Sequence, residues 1–266
     1  MSYAKIKVAT DDAITVVTLS DPATMNAAGV EMAQELTDAF KSASAEGSAT
    51  RAIVLTGEGR GFCSGANLQP GQTGSSRDAE GRSDAGSALE TVYNPLVTLM
   101  REMPIPLVTA VNGAAAGVGC SLALLGDLVV ASESAYFLQA FRRIGLVPDG
   151  GSTYMLPRAI GKARAMEMAL LGERVPAKQA LEWGLINRCV PDAELMPTAL
   201  GLAHELAKGP FSLGLIRKAI WDSLDSNWQE QLYNERRAQQ IAGKSDDFRE
   251  GVQAFLQKRP AAFQGR

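Results

Sequence analysis

Between Leu107 and Leu124 the chain reads Leu-Val-Thr-Ala-Val-Asn-Gly-Ala-Ala-Ala-Gly-Val-Gly-Cys-Ser-Leu-Ala-Leu. An apolar strand there empties through small residues directly into an apolar helix, which suits the strand-helix alternation of an α/β fold. The junction also carries chemistry. From Gly113 to Gly119 there is almost no side-chain bulk, so a ligand oxygen can approach main-chain N–H groups at the positive end of a helix. Donors placed in this way form an oxyanion hole. A tight strand-to-helix turn that binds nothing accounts for this segment equally well.

A second junction tips that balance. In Ile53-Val-Leu-Thr-Gly-Glu-Gly-Arg-Gly-Phe-Cys-Ser-Gly-Ala-Asn-Leu (53–68) another β-branched strand ends in glycines and leads to Ser64-Gly65-Ala66. Its turn offers a second exposed amide.

Composition narrows the remaining classes. The 266 residues are 46% hydrophobic, ample for a large buried core, and carry a net charge of −3 with both signs interspersed. No basic stripe for nucleic acid and no polybasic patch for lipid is present, so neither partner is expected. The start, Met-Ser-Tyr-Ala-Lys-Ile-Lys, has no apolar stretch, and no segment reaches the roughly 20 apolar residues of a membrane span, so a cytoplasmic location is expected. Cys63, Cys120 and Cys189 lie far apart among small or apolar residues, which predicts reduced structural thiols. His204 stands alone on the polar face of a predicted helix, and with no cysteine cluster beside it no metal site is expected.

Strand signals fall at 4–9, 13–19, 52–56, 106–111, 127–130, 136–138 and 186–190. Helical spacing and caps fall at 29–46, 89–102, 118–125, 151–156, 161–170, 176–182, 193–208, 211–225, 228–242 and 246–257. Residues 69–88 are rich in Gly, Ser and charge and exceed an ordinary loop of about 12–15 residues. Following a candidate amide, they suit a lid at the pocket mouth, though a surface excursion fits the same composition. From about 193 strands stop and amphipathic helices take over, with Leu215, Ile216, Ile220, Trp221, Leu224 and Trp228 at helical spacing. The chain thus divides into 1–192 and a helical region, 193–266, whose apolar faces need a surface to cover.

Two further segments complete a resemblance. Phe-Cys-Ser-Gly-Ala-Asn-Leu (62–68), Asn112 to Leu124, Gly145-Leu-Val-Pro-Asp-Gly-Gly-Ser (145–152) and the stretch 170–186 together resemble the crotonase superfamily, the enoyl-CoA hydratase/isomerase family, along essentially the whole chain. The resemblance implies a ClpP-like spiral of ββα units with C-terminal helices that build a homotrimer or homohexamer. It implies a coenzyme A thioester as substrate, with no permanently bound cofactor. The thioester carbonyl would rest on the N–H groups of Ala66 and Val118, valine standing where the family usually has glycine. Coenzyme A would lie along Thr24-Met25-Asn26-Ala27-Ala28 and along Ser64, Ala66, Asn67 and Leu68.

The family's hydratases place one glutamate just after the start of the small-residue helix and a second twenty residues later. Here those positions hold Ser121 and Phe141. Neither is a base at neutral pH, and no histidine lies close in sequence to activate the serine. One acid remains, Asp149 in Val-Pro-Asp-Gly-Gly-Ser. Read locally, Pro-Asp-Gly is turn or N-cap chemistry. The string 137–158 and Tyr93-Asn-Pro-Leu-Val nevertheless resemble the ring-epoxide isomerases of phenylacetyl-CoA degradation, alongside the double-bond isomerases, with an aspartate here as acid/base. That resemblance implies an isomerase in which Asp149 shuttles a proton, with Val118, Ser121 and Phe141 lining the substrate pocket. Two alternatives stay open: a hydrolase or dehalogenase with Asp149 as nucleophile, and an acyl-CoA-binding protein without catalysis.

Overall fold

The computed structural model describes residues 3–69 and 71–266. Met1, Ser2 and Pro70, the last inside the expected lid, lie outside the described residues. The chain opens with β1 (Ile6–Asp11), β2 (Ile14–Leu19), α1 (Val30–Ala43), β3 (Ala52–Gly57) and β4 (Gly61–Cys63). A small hairpin, β5 (Ser76–Arg77) and β6 (Ser83–Asp84), leads to α2 (Ala85–Ala88), a π-turn (Leu89–Tyr93) and α3 (Asn94–Glu102). Then come β7 (Leu107–Val111), β8 (Ala114–Ala116), α4 (Val118–Leu124), β9 (Leu128–Ser132), β10 (Tyr136–Leu138) and α5 (Ser152–Leu171). The chain continues through β11 (Val175–Pro176), α6 (Ala177–Glu182) and β12 (Arg188–Val190), and ends with α7 (Leu195–Ala207), α8 (Ser212–Ser223), α9 (Trp228–Ala242) and α10 (Asp246–Gln257).

Two sheets result, in an α/β architecture with helices at the C-terminal end. The first runs β1-β2-β3-β7-β9-β12, parallel except for the opening hairpin. The second runs β11-β10-β8-β4, with β10, β8 and β4 parallel. Parallel strands buried on both faces read as continuous apolar runs, as Leu107–Val111 does with every residue buried. The main core fills the space between the sheets, α1 and α3, around Phe40, Phe62, Leu96, Met100 and Phe137. A second cluster packs Val54, Val108 and Val130 against Leu195, Ala199 and Ala203 of α7.

The region after residue 193 is therefore not uniform. Helix α7 covers the outer face of the first sheet, whereas α8 to α10 leave large apolar side chains uncovered, among them Ile220, Trp228, Phe255 and Leu256. What anchors α8 is Arg217. Its guanidinium pairs with Asp127 at 2.7 Å and donates to the carbonyls at the end of α3, including Met103 at 2.8 Å.

All seven expected strands form, with shifts of a few residues at their ends. Strands β4, β8 and β11 had no signal, because three alanines or Gly-Phe-Cys carry no β-branched alternation for a sheet to advertise. The expected lid is not structureless: it holds β5, β6 and α2, tied to α1 where Val30 N–H donates to Gln72 O. The separation of 151–156 from 161–170 corresponds to a break inside α5, where Gly161 takes φ 77° and ψ 160°. All three cysteines are free, and burial pushes the thiols of Cys63 and Cys120 up to about 11 and about 12. His204 faces Asp11 at 3.2 Å on the surface. Among the described residues no helix is long and apolar enough to cross a membrane, and no His, Cys, Asp and Glu side chains gather as a metal site.

Candidate active site

The site grows from the ends of two neighbouring strands. Because β4 and β8 pair in parallel, their carboxyl ends leave the sheet side by side, the place where open α/β sheets bind ligands. Beyond the pairing, Gly65 and Gly117 pass each other closely. A Cβ on Gly65 would stand 3.2 Å from Ala116 O, and one on Gly117 would lie 3.6 Å from the Gly65 Cα. Both glycines take positive φ, 111° and 53°, and so turn their chains where a side chain would be strained and obstructive.

The turns leave two donors without acceptors. Ala28 pairs with Ala66 as an isolated parallel bridge: Ala28 N–H donates to Gly65 O at 2.8 Å, and Asn67 N–H donates to Ala28 O at 3.4 Å. Bridging through the residues on either side of Ala66 turns the Ala66 N–H away from Ala28. At the start of α4, Cys120 and Ser121 N–H both donate to Gly117 O, which leaves Val118 N–H without an intrahelical carbonyl. Among the described residues neither the Ala66 nor the Val118 N–H donates to a protein acceptor.

Asp149 stands beside these turns on the loop before α5. It is not the helix cap that the local sequence suggests, because Gly151 occupies the N-cap place and the Asp149 side chain makes no capping bond. Its carbonyl is held instead, by Ser121 Oγ at 2.9 Å, Ser152 Oγ at 2.7 Å and Ser152 N–H at 3.1 Å. Its carboxyl oxygen Oδ1 is buried without a partner. Desolvation alone raises the group from the ordinary 3.8 to about 6. The carboxyl lies within electrostatic reach of Tyr93, whose hydroxyl donates to Ala28 O at 2.6 Å, and the next residue touches the second turn, a Cβ on Gly150 standing 3.4 Å from Val118 Cγ2.

The remaining nominated residues divide by role. The Phe141 ring covers Gly117, its Cζ standing 3.8 Å from a Cβ built there. Ser121 is fully buried and its hydroxyl is engaged by the Asp149 carbonyl, so it holds the acid's loop. Asn26, also fully buried at φ 58°, donates to Glu58, Gly61 and Phe62 carbonyls at 3.0, 2.8 and 3.2 Å and accepts from Asp21 N–H. It locks the 24–28 loop against β4. Ser64 sews the same two segments together, through its N–H to Met25 O and its Oγ to Thr24 O. Met25 and Leu68 are the exposed apolar residues along this rim, with Asn67 largely buried between them. The sequence does not single out Ser152, because nothing in a lone serine after Gly-Gly signals which carbonyl it meets. Cavities of about 890 and 440 Å³ lie along α8 to α10 and between α5 and α8, and no nominated residue lines either one. They are apolar recesses without the unpaired donors and the acid found here.

Similarity to known proteins is extensive. The family described as Enoyl-CoA hydratase/isomerase matches residues 9–266. A "Probable enoyl-CoA hydratase" of Rhodobacter capsulatus is 46% identical, with 100% of each chain covered. The 1,2-epoxyphenylacetyl-CoA isomerase of Escherichia coli K12 is 45% identical, with 94% of each covered. The two names stand level in identity, so similarity does not favour the isomerase subgroup over the hydratases. A solved enoyl-CoA hydratase from Polaromonas sp. JS666 superposes with a TM-score of 0.87 at 32% identity, over 97% of this chain and 99% of that one. One from Bacillus anthracis superposes at 0.90 with 27% identity, over 99% and 100%. A match over nearly the full sequence, joined to the same fold, means that the chain belongs to the enoyl-CoA hydratase/isomerase family.

Proposed function

We propose that this protein isomerises acyl-CoA thioesters, shifting a double bond or rearranging a ring epoxide, with Asp149 as the acid/base. The supporting observation is the partnerless, half-buried carboxyl of Asp149, raised to about 6 beside two unpaired N–H groups. The thioester oxygen accepts from Ala66 and Val118 N–H. When the Asp149 carboxylate takes a proton from the carbon next to the carbonyl, charge moves onto that oxygen, and each fixed donor stabilises it by about 3–4 kcal/mol. The protonated acid then returns its proton further along the chain, and the double bond has moved. An acid near 6 is mostly ionised at neutral pH yet a competent donor once charged with a proton, which suits a shuttle. Hydration needs a base to hold water, and Ser121 is tied to the Asp149 carbonyl while Phe141 has no proton to exchange.

Coenzyme A lies along the rim of Met25, Ala28, Ser64, Asn67 and Leu68, with Asn26 fixing the loop from below. No cofactor is needed for this chemistry. The uncovered apolar faces of α8 to α10 suit a homotrimer or homohexamer. The deciding experiment offers purified protein a 3-enoyl-CoA, a 2-enoyl-CoA, the ring epoxide of phenylacetyl-CoA and a halobenzoyl-CoA, each with wild type and Asp149→Asn. Isomerisation that disappears in the variant is expected. Efficient hydration of the 2-enoyl ester, or halide release, overturns the reading.

A further inference from the structure

We propose that Tyr93 is a positioning residue for the oxyanion donor of Ala66, acting through Ala28. The inference rests on the reading that the Ala66 N–H receives the thioester oxygen. Helix 85–102 is not regular: at Leu89–Tyr93 it widens into a π-turn, closed by Asn94 N–H donating to Leu89 O. Such an inserted residue weakens a helix and recurs where a side chain must be re-aimed for function. Here it faces Tyr93 inward, 4% exposed, and lets Leu96 and Met100 keep their places in the core.

The phenol meets one group, the Ala28 carbonyl, at 2.6 Å. That carbonyl already accepts from Asn67 N–H at a long 3.4 Å, while Ala28 N–H holds Gly65 O at 2.8 Å. Ala28 therefore grips the backbone immediately before and after Ala66, weakly on the far side, and Tyr93 fixes the carbonyl that makes the weaker grip. A catalytic donor works by being set before charge develops. Tyr93 supplies that setting from a buried helix, without touching substrate. Its phenol is pushed up to about 12, chiefly by burial, so it stays a neutral donor at any working pH.

The test is Tyr93→Phe, a swap that keeps the buried ring and removes one oxygen. A bound acyl-CoA analogue labelled with carbon-13 at its thioester carbonyl reports polarisation directly by isotope-edited infrared spectroscopy. In wild type the carbonyl stretch shifts to lower frequency on binding. In Tyr93→Phe at least about half of that shift is lost, kcat falls about tenfold or more, and KM stays within about twofold. The acid limb of the pH profile keeps its midpoint, because Asp149 is unchanged. The control is Tyr154→Phe, which removes a comparable 2.7 Å bond, to Asp225, on the surface; it moves neither spectrum nor kcat. The spectrum is read on ligand-bound protein and so does not depend on the yield of folded variant. An unaltered carbonyl stretch in Tyr93→Phe, or an altered one in Tyr154→Phe, overturns the inference and leaves the isomerase reading standing. A wild-type carbonyl that does not shift on binding overturns the Ala66 and Val118 reading, and this inference with it.

Discussion

The carboxyl ends of β4 and β8 and the three last helices are unfinished in opposite ways. At the strand ends the missing partners are those of hydrogen-bonding groups, Ala66 N–H, Val118 N–H and Asp149 Oδ1, beside a rim on which Met25 and Leu68 stay exposed. Along α8 to α10 the Asn227–Glu230 capping box closes the start of α9, Gln231 Oε1 is the buried side-chain atom left unpaired among the described residues there, and apolar side chains lack cover, with Phe255 82% and Leu256 73% exposed. A buried unpaired polar atom such as Asp149 Oδ1 costs about 1–3 kcal/mol unless a ligand completes it. Uncovered apolar surface asks only for another surface. On the proposed reading, the unpaired groups at the strand ends serve chemistry and the bare apolar faces serve association.

The largest effect expected from this contrast is at Asp149. Asp149→Asn should lower kcat by about a thousandfold, since on the proposed reading it removes the group that shuttles the proton. In wild type kcat/KM should rise with pH through a midpoint of about 6 and then level off. The same group makes a stability prediction of known sign. Its folded value lies above the ordinary 3.8, so ionisation opposes folding: stability falls as pH rises from about 4 to 6 and stays lower above that. Asp149→Asn should therefore melt higher than wild type at pH 7.5, by about 1–2 kcal/mol after solvent screening, and equally at pH 4. A variant inactive and less stable at pH 7.5 would break the polar half of the comparison.

Phe255→Glu addresses the apolar half. On an isolated chain so exposed a residue is worth within about 0.5 kcal/mol, whereas one buried between copies contributes about 2 kcal/mol at each contact. Light scattering should show wild type as a trimer or hexamer and the variant as mostly single chains. A wild type that is already a single chain at micromolar concentration removes association as the meaning of those faces.

How much of this was legible beforehand follows the same division. The β3 and β7 strands, the α4 junction and every helix from 193 onward declare themselves by runs or periodicity that local physics imposes. In the second sheet only β10 did, because Ala114-Ala115-Ala116 is a strand only by virtue of lying between β4 and β10. At the site, glycines and a lone aspartate announce themselves, as Asp149, Gly65 and Gly117 do. What stays silent is which long-range carbonyl a polar side chain meets. Tyr93 to Ala28, Ser121 to Asp149 and Asn26 to Gly61 are such pairings, and Asn26 reads as a coenzyme A contact until its amide is found fully engaged beneath the rim.

Gly119→Ala probes the fit that sets the two turns together. A Cβ there would stand 2.4 Å from Cys63 O and 2.7 Å from the Cys63 Cβ, so α4 must move off β4. Its own backbone is helical, so the penalty is purely steric, about 3 kcal/mol on the thermal melt. Activity should fall further than the melt alone implies, because the displaced helix carries the Val118 donor. Equal activity in the folded fraction would show that the spacing of the turns does not matter.

The smallest effect belongs to Ser121→Ala, and it separates two roles for a residue that stands where the family's hydratases carry a glutamate. If Ser121 lines the substrate pocket, losing its hydroxyl changes KM. Its Oγ instead donates to Asp149 O, a carbonyl that Ser152 also holds through both Oγ and N–H, so two of three bonds survive the substitution. The expected cost is about 1 kcal/mol on the melt, with kcat lowered a few fold and KM unchanged, because only the aim of the Asp149 loop is loosened. Removing Ser152 Oγ as well should compound the loss in kcat beyond the product of the single effects, since both hydroxyls steady one carbonyl. Additive losses would mean that the loop is held by its glycines and proline alone, and that the serines are merely buried beside it.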